Sequence, residues 1–202
     1  MTSALAPNHH RHHPGFAGFS GVMLGLAFAV GRNGVARFAA DLAELTDGDA
    51  VIDIGCGPGS AARVAAKRGT ATTVLGVDPA PVMLRLGRLF TFGRRVTYRA
   101  GTAEAIPSDD ASATVVWSLS AVHHWHDLDK GLAEVRRVLR AGGRFVAIER
   151  VTTPGATGIA SHGWTDEQAK AFGELCRQAG FSTVSVHHAT CDGKPRVAVL
   201  AR

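Results

Sequence analysis

The 202-residue chain is poor in cysteine, has no long apolar run and carries little excess of either charge. Each shortage excludes something. Cys56, Cys176 and Cys191 have neither metal-ligand spacing nor the pattern of a disulfide framework. They point to a reducing, cytoplasmic setting, with no metal centre expected. The apolar stretch Gly21–Val30 is too short to span a bilayer. No basic segment leads directly into an apolar one at the start, so no secretory signal is expected. The formal net charge of +5 is modest for this length. Its densest basic run, Arg85, Arg88, Arg94, Arg95 and Arg99, reads as a solvated helix face and strand end. With no RNA-binding module visible, nothing calls for a nucleic-acid partner. Hydrophobic residues, at 46%, are enough for a core, and the length suits one domain.

The most informative segment is Val51-Ile-Asp-Ile-Gly-Cys-Gly-Pro-Gly59, followed by Ser60-Ala-Ala-Arg-Val-Ala-Ala-Lys-Arg68. It reads as a buried strand, a tight turn and a helix. Glycine at 55, 57 and 59 removes every Cβ that would keep a ligand from the backbone. The following helix aims free N–H groups at the same place. This is a nucleotide-type cofactor site at the carboxyl edge of a parallel sheet. The spacing is G-x-G-x-G, and Ser60 stands where a dinucleotide fingerprint needs its third glycine. A second strand, Val74-Leu-Gly-Val-Asp-Pro79, ends in Asp78, whose carboxylate can accept both hydroxyls of a ribose.

With these motifs the chain resembles the class I S-adenosylmethionine (SAM)-dependent methyltransferases, in particular their type 11, small-molecule branch. The resemblance runs from about Phe38 to Arg202 and its motifs occur in order. They are Val51–Gly59, Gly76-Val-Asp-Pro-Ala80, Gly101-Thr-Ala-Glu-Ala-Ile-Pro107, Val115-Val-Trp-Ser-Leu-Ser-Ala-Val-His-His-Trp125 and Val138-Leu-Arg-Ala-Gly-Gly-Arg-Phe145. The resemblance implies a three-layer Rossmann-like α/β fold. Its seven-stranded, mostly parallel sheet ends in an antiparallel C-terminal hairpin.

It also implies SAM as cofactor, a small-molecule methyl acceptor and a set of site residues. Asp53 would reach the methionine amino group. Gly55, Cys56, Gly57 and Gly59 form the loop beside the ribose and methionine, with Cys56 as a small packing residue. Asp78 takes the ribose hydroxyls, while Pro79 and Met83 lie against the adenine. Thr102, Ala103 and Glu104 form the adenine-side loop. The family usually has an acid where Thr102 stands, so the contact there is weakened. Ser118 and Leu119 close the site from the fourth strand. The fourth strand ends Trp117-Ser-Leu-Ser120, without the Asn/Asp-Pro-Pro-aromatic signature of nucleobase amino-methyltransferases. No catalytic residue is assigned; His123, His124 and Glu149 are the candidates. Two other readings remain open: a SAM-binding module without catalysis and a dinucleotide-dependent oxidoreductase.

Residues 1–15, with His9, His10, His12 and His13, read as a disordered tail. The domain then covers 16–202. Helical spacing within 16–46 predicts two helices before the first strand, as a possible lid. Strands are predicted near 50–54, 73–77, 96–99, 113–118, 143–149, 182–188 and 196–201, and helices near 59–68, 80–90, 128–139 and 165–179. Thr165 with Gln168 fits a capping box, and Asp192-Gly193 a hairpin turn. The acceptor is expected between the Phe16–Val30 segment and the Ala121–His126 loop, lined by Phe16, Phe19, Met23, Trp125, His162 and Trp164.

Overall fold

A computed structural model describes residues 6–10, 33–91 and 95–202. The first of the two predicted N-terminal helices, with Phe16, Phe19 and Met23, lies outside the described residues. The second is α1, Gly34–Leu42. Regular alternation follows: β1 (Ala50–Ile54), α2 (Ser60–Ala65), β2 (Thr73–Asp78), α3 (Pro81–Phe90), β3 (Val96–Ala100), β4 (Ala113–Leu119), α4 (Leu128–Val138), β5 (Leu139–Arg150), α5 (Asp166–Gln178), β6 (Val184–Cys191) and β7 (Lys194–Ala201). The strands form one sheet in the order β3-β2-β1-β4-β5-β7-β6. The first five are parallel, and β7 runs antiparallel between β5 and β6. This is the expected α/β architecture, with the hairpin at its end.

Alternation along each strand builds the layers. Val51, Val115, Trp117, Val146 and Ile148 pack on one face against Ala36, Ala39 and Ala40 of α1, Ala43 just after it, and Ala61, Ala62 and Ala65 of α2. Alanine at these helix positions lets the helices lie close to the sheet and to each other. Ile52, Ile54, Val116, Phe145 and Ala147 face the other way, onto Leu132, Val135 and Val138 of α4 and Phe172 and Cys176 of α5. Both faces of the central strands are buried, which is why their sequence is almost continuously apolar.

Local signals set the ends. Thr165 and Gln168 form the predicted capping box on α5. Asp192 and Gly193 both take positive φ, 50° and 74°, in the two-residue turn between β6 and β7. Strand β5 begins earlier than its predicted 143. Leu139 already pairs with Ala113, and the register shifts before Arg144 pairs with Val115. Gly142, at φ 73°, lies within that irregularity.

Ala6–His10 does not behave as part of the disordered tail. Pro7 O accepts from Trp164 Nε1 at 2.8 Å, and Asn8 Nδ2 donates to Trp125 O at 3.0 Å. His10 N donates to His123 O at 3.0 Å. Asn8 is only 5% exposed. Its polar groups find backbone partners on the body, so polarity here does not mean solvation. The rest of the expected tail lies outside the described residues.

Candidate cofactor and acceptor site

Chain order in the sheet reverses between β1 and β4, so their carboxyl ends flank the topological switch point. The Gly55–Gly59 loop leaves β1 there. Gly55, Gly57 and Gly59 all have positive φ, at 71°, 51° and 76°. Gly55 abuts the β4 loop: a Cβ on it would stand 2.5 Å from Ala121 Cβ. At Gly57 nothing lies within 4 Å of where a Cβ would stand, so its backbone faces open space among the described residues. Gly59 is the residue before α2.

Asp78, at the end of β2, fastens this loop. Its Oδ2 accepts from Gly57 N at 2.9 Å and its Oδ1 from Ala80 N at 2.9 Å. Burial raises its pKa, while those two N–H donors pull it down. Asp53 lies deeper, 1% exposed, between Gly76 and Trp117 on the neighbouring strands. Its Oδ2 has no hydrogen-bond partner among the described residues. Burial, with the Asp78 charge adding to it, pushes its carboxyl up to about 7.

The other expected residues fall into two groups. Met83 (2% exposed) and Ala103 (4%) are core, and Pro79 is exposed at the β2 end. Thr102 is half-buried, its carbonyl accepting from Ala105 N. Ser118 is fully buried and Leu119 half-buried at the end of β4. Cys56 Sγ packs with Leu84 and Tyr98, and burial followed by the charges of Asp53 and Asp78 drives its pKa well up, so it stays a thiol. Glu104 turns towards the next loop, where its Oε1 accepts from His126 N (2.8 Å) and Asp127 N (3.1 Å).

Trp125 and Trp164 are not cavity wall. Both are buried in the core of the α4–α5 layer, Trp125 against Phe145 and Phe172 and Trp164 4.8 Å from Phe172 between ring centroids. Gly131 makes room for the first: a Cβ there would come within 2.5 Å of its ring.

The histidines converge. His123 Nδ1 lies 2.9 Å from Glu149 Oε2, and both side chains are buried. The carboxylate thus fixes the proton on Nδ1 and leaves Nε2 as acceptor; that nitrogen is buried with no partner among the described residues. His124 and His162 lie beside it, and the ring of His10 stacks on that of His162 at 4.1 Å. Burial above all holds His124 down at about 3, so it is neutral at ordinary pH.

Sequence reasoning missed Tyr98, the only tyrosine of the chain. Its ring on β3 fills a slot walled by Gly59, Gly76 and Gly87, each of which would place a Cβ within 2.7 Å of it. Three separated glycines facing one aromatic leave no local signature.

Comparison with known proteins agrees with this geometry. The family described as a methyltransferase domain, of type 11, matches residues 52–147. A ubiquinone/menaquinone biosynthesis C-methyltransferase of Geobacter sp. (strain M21) is 31% identical over 118 residues, 56% of this chain and 50% of that one. The 27-O-demethylrifamycin SV methyltransferase of Amycolatopsis mediterranei is 30% identical over 150 residues, 73% of this chain and 52% of that one. The chain therefore spans about half the length of these relatives. A SAM-dependent methyltransferase from Aquifex aeolicus shares the fold, with a TM-score of 0.68 over 82% of this chain and 88% of its own, at 17% identity. A strand, glycine loop and helix at the switch point, an acid within β1 and another ending β2, and a β7 inserted beside β5 all occur together, and the chain belongs to the class I SAM-dependent methyltransferases, whose cofactor is S-adenosylmethionine.

Proposed function

We propose that the protein transfers a methyl group from SAM to a small-molecule acceptor. One observation carries the reading: a positive-φ glycine loop, fastened by Asp78, follows the strand that carries a buried Asp53 oxygen with no partner among the described residues. That is a site built for a ligand bearing a cation and hydroxyls. Asp53 receives the methionine ammonium and Asp78 the ribose, with Gly55, Cys56, Gly57 and Gly59 along the cofactor backbone. Met83, Pro79, Thr102 and Ala103 border the adenine, Glu104 braces its loop, and Ser118 and Leu119 close the methionine side.

When bound, SAM supplies an electrophilic methyl on its sulfonium, so the protein's task is to position the acceptor and exclude water. The loop after β4 lies on the acceptor side. There His123 Nε2, oriented through Glu149, is the best-placed basic nitrogen, with His124 beside it. The relatives' names fit a small acceptor: one acts in quinone biosynthesis and the other on a demethylrifamycin. Three buried free thiols fit a reducing, cytoplasmic location. Among the described residues no helix is long and apolar enough to cross a membrane.

The deciding experiment is calorimetric titration with SAM and with NAD, followed by measurement of S-adenosylhomocysteine release against a panel of small phenols, enols, amines and thiols. SAM binding with release for at least one acceptor class is expected. Binding of NAD instead would overturn the cofactor assignment, and SAM binding with no release across the panel would leave a binding module.

Two further outcomes are expected. SAM affinity should depend on pH through Asp53. Below about pH 7 the free protein holds a proton there that the bound ammonium must displace, so affinity falls as pH drops, by up to about tenfold per unit. Above about pH 8 the α-amino group of SAM loses its own proton and affinity falls again. Titration in buffers of different ionisation enthalpy would detect the released proton, and a flat profile from pH 5.5 to 7.5 would count against Asp53 as the ammonium partner. Separately, Thr102→Asp should keep or tighten SAM binding, since a carboxylate is a stronger acceptor for the adenine amino group. A severe loss in a folded variant would mean that this loop lies elsewhere.

A further inference from the structure

The histidine cluster holds more imidazole than methyl transfer uses. His123, His124 and His162 each bring a ring nitrogen to within 4.8 Å of the others. They come from two separate segments, the loop after β4 and the loop before α5, so no local helical or strand spacing accounts for the meeting. His123 is 3% exposed, its Nδ1 is committed to Glu149, and its buried Nε2 has no partner among the described residues. A buried acceptor left unpaired is costly, and this one lies beside two further imidazoles.

We propose that His123 Nε2, His124 and His162 form a binding site for a divalent transition-metal ion of the zinc class, with Glu149 as the outer partner that orients His123. The donor set decides the class. Three imidazoles with no carboxylate or thiolate among the direct ligands suit Zn²⁺, Co²⁺ or Ni²⁺, and not the oxygen-seeking Mg²⁺ or Ca²⁺. Metal–nitrogen bonds of about 2.0–2.1 Å in a tetrahedron place ligand nitrogens roughly 3.4 Å apart. The observed spread closes to that by small rotations of half-buried rings. A carboxylate hydrogen-bonded to the far nitrogen of a ligating histidine is the usual outer arrangement of such sites. An imidazole has two ring nitrogens, and the stack of His10 on His162 is a contact of ring faces.

Three protein ligands leave a coordination position for water or for an acceptor heteroatom. That this position meets the methyl acceptor rests on the proposed methyl transfer; the metal site itself does not. Coordination and proton abstraction use the same lone pair of His123, so the metal-loaded protein cannot use this nitrogen as a base.

The test needs no turnover. The full chain, stripped with a chelator, is titrated with Co²⁺ by visible absorption and with Zn²⁺ by calorimetry. One equivalent is expected to bind with the absorption of a non-octahedral Co²⁺ site. His162→Gln should weaken binding at least tenfold, and Glu149→Gln by about 10–100-fold. A His12→Gln/His13→Gln variant, which keeps His123, His124 and His162, should bind as before. Circular dichroism and SAM affinity verify that each variant is folded. Should Glu149→Gln fail to fold, His162→Gln on its loop still gives the answer. No stoichiometric binding, binding that His162→Gln leaves unchanged, or binding lost only in the tail variant would each overturn the proposal. Failure of SAM binding or methyl release would leave the metal titration intact, so the two readings fall separately.

Discussion

The Asp78→Ala protein is expected to lose SAM affinity by about a hundredfold or more while keeping its fold. Two losses combine. The ribose loses a charged acceptor, worth about 1.5–3 kcal/mol. The loop loses its fastening as well, because Asp78 holds Gly57 N and Ala80 N through separate oxygens. Freed, Gly57 with its open backbone can sample other conformations, and binding must then order it again. Together these amount to roughly 3 kcal/mol, about a hundredfold in Kd. Asp78→Asn should fall between, since its amide oxygen still accepts one N–H but carries no charge. Calorimetric titration with SAM beside a thermal melt checks both variants. An Asp78→Ala protein that is folded and binds SAM as well as the parent would remove this residue from the site.

Gly59→Ala should destabilise the fold by about 3 kcal/mol. At φ 76° an L-residue pays about 1–2 kcal/mol. The added Cβ would also stand 1.8 Å from Tyr98 Oη. The tyrosine cannot step aside, because Gly76 and Gly87 are already pressed against its ring and it is 6% exposed. Overpacking of this kind adds about 1–3 kcal/mol. Adding Tyr98→Phe should recover part of the loss and no more, since Cζ remains 2.7 Å away. On its own Tyr98→Phe should cost little, as the hydroxyl is buried without a partner. Urea unfolding of the single and double variants measures the coupling. A cost below 1 kcal/mol for Gly59→Ala would mean that the slot yields.

The legible parts of this chain were those where one local rule and one global role coincide. The strand from Val51 to Ile54 is continuously apolar around a single acid because both its faces are buried, and that pattern stands in the sequence. The capping box at Thr165 and the turn at Asp192-Gly193 are spelled out by adjacent residues. The misses share a cause. Trp125 and Trp164 were read as pocket wall because each borders a loop, but which way such a ring turns depends on Gly131 and Phe172. Ala6–His10 was read as tail because it is polar, although its partners lie 113 to 162 residues away. The convergence of His123, His124 and His162 is likewise a fact of topology, invisible until β5 pairs with β4 on one side and Val151 beyond its end bridges Trp164.

The Ala6–His10 segment also carries a kinetic meaning. Its bonds reach Trp125 O, His123 O and Trp164 Nε1, so it clasps two loops that the chain itself does not join directly. Contacts across such separations in sequence close late in folding, because the chain entropy of a large loop is spent before any contact returns it. The clasp can form only on loops already placed by β4 and α5. It therefore sits at the shallow end of the stability gradient, and its opening is a local event that leaves the sheet undisturbed. Each such opening would release only the segment's own ties, because both loops stay moored to the end of β5, His123 through Glu149 and Trp164 through Arg150 and Thr152.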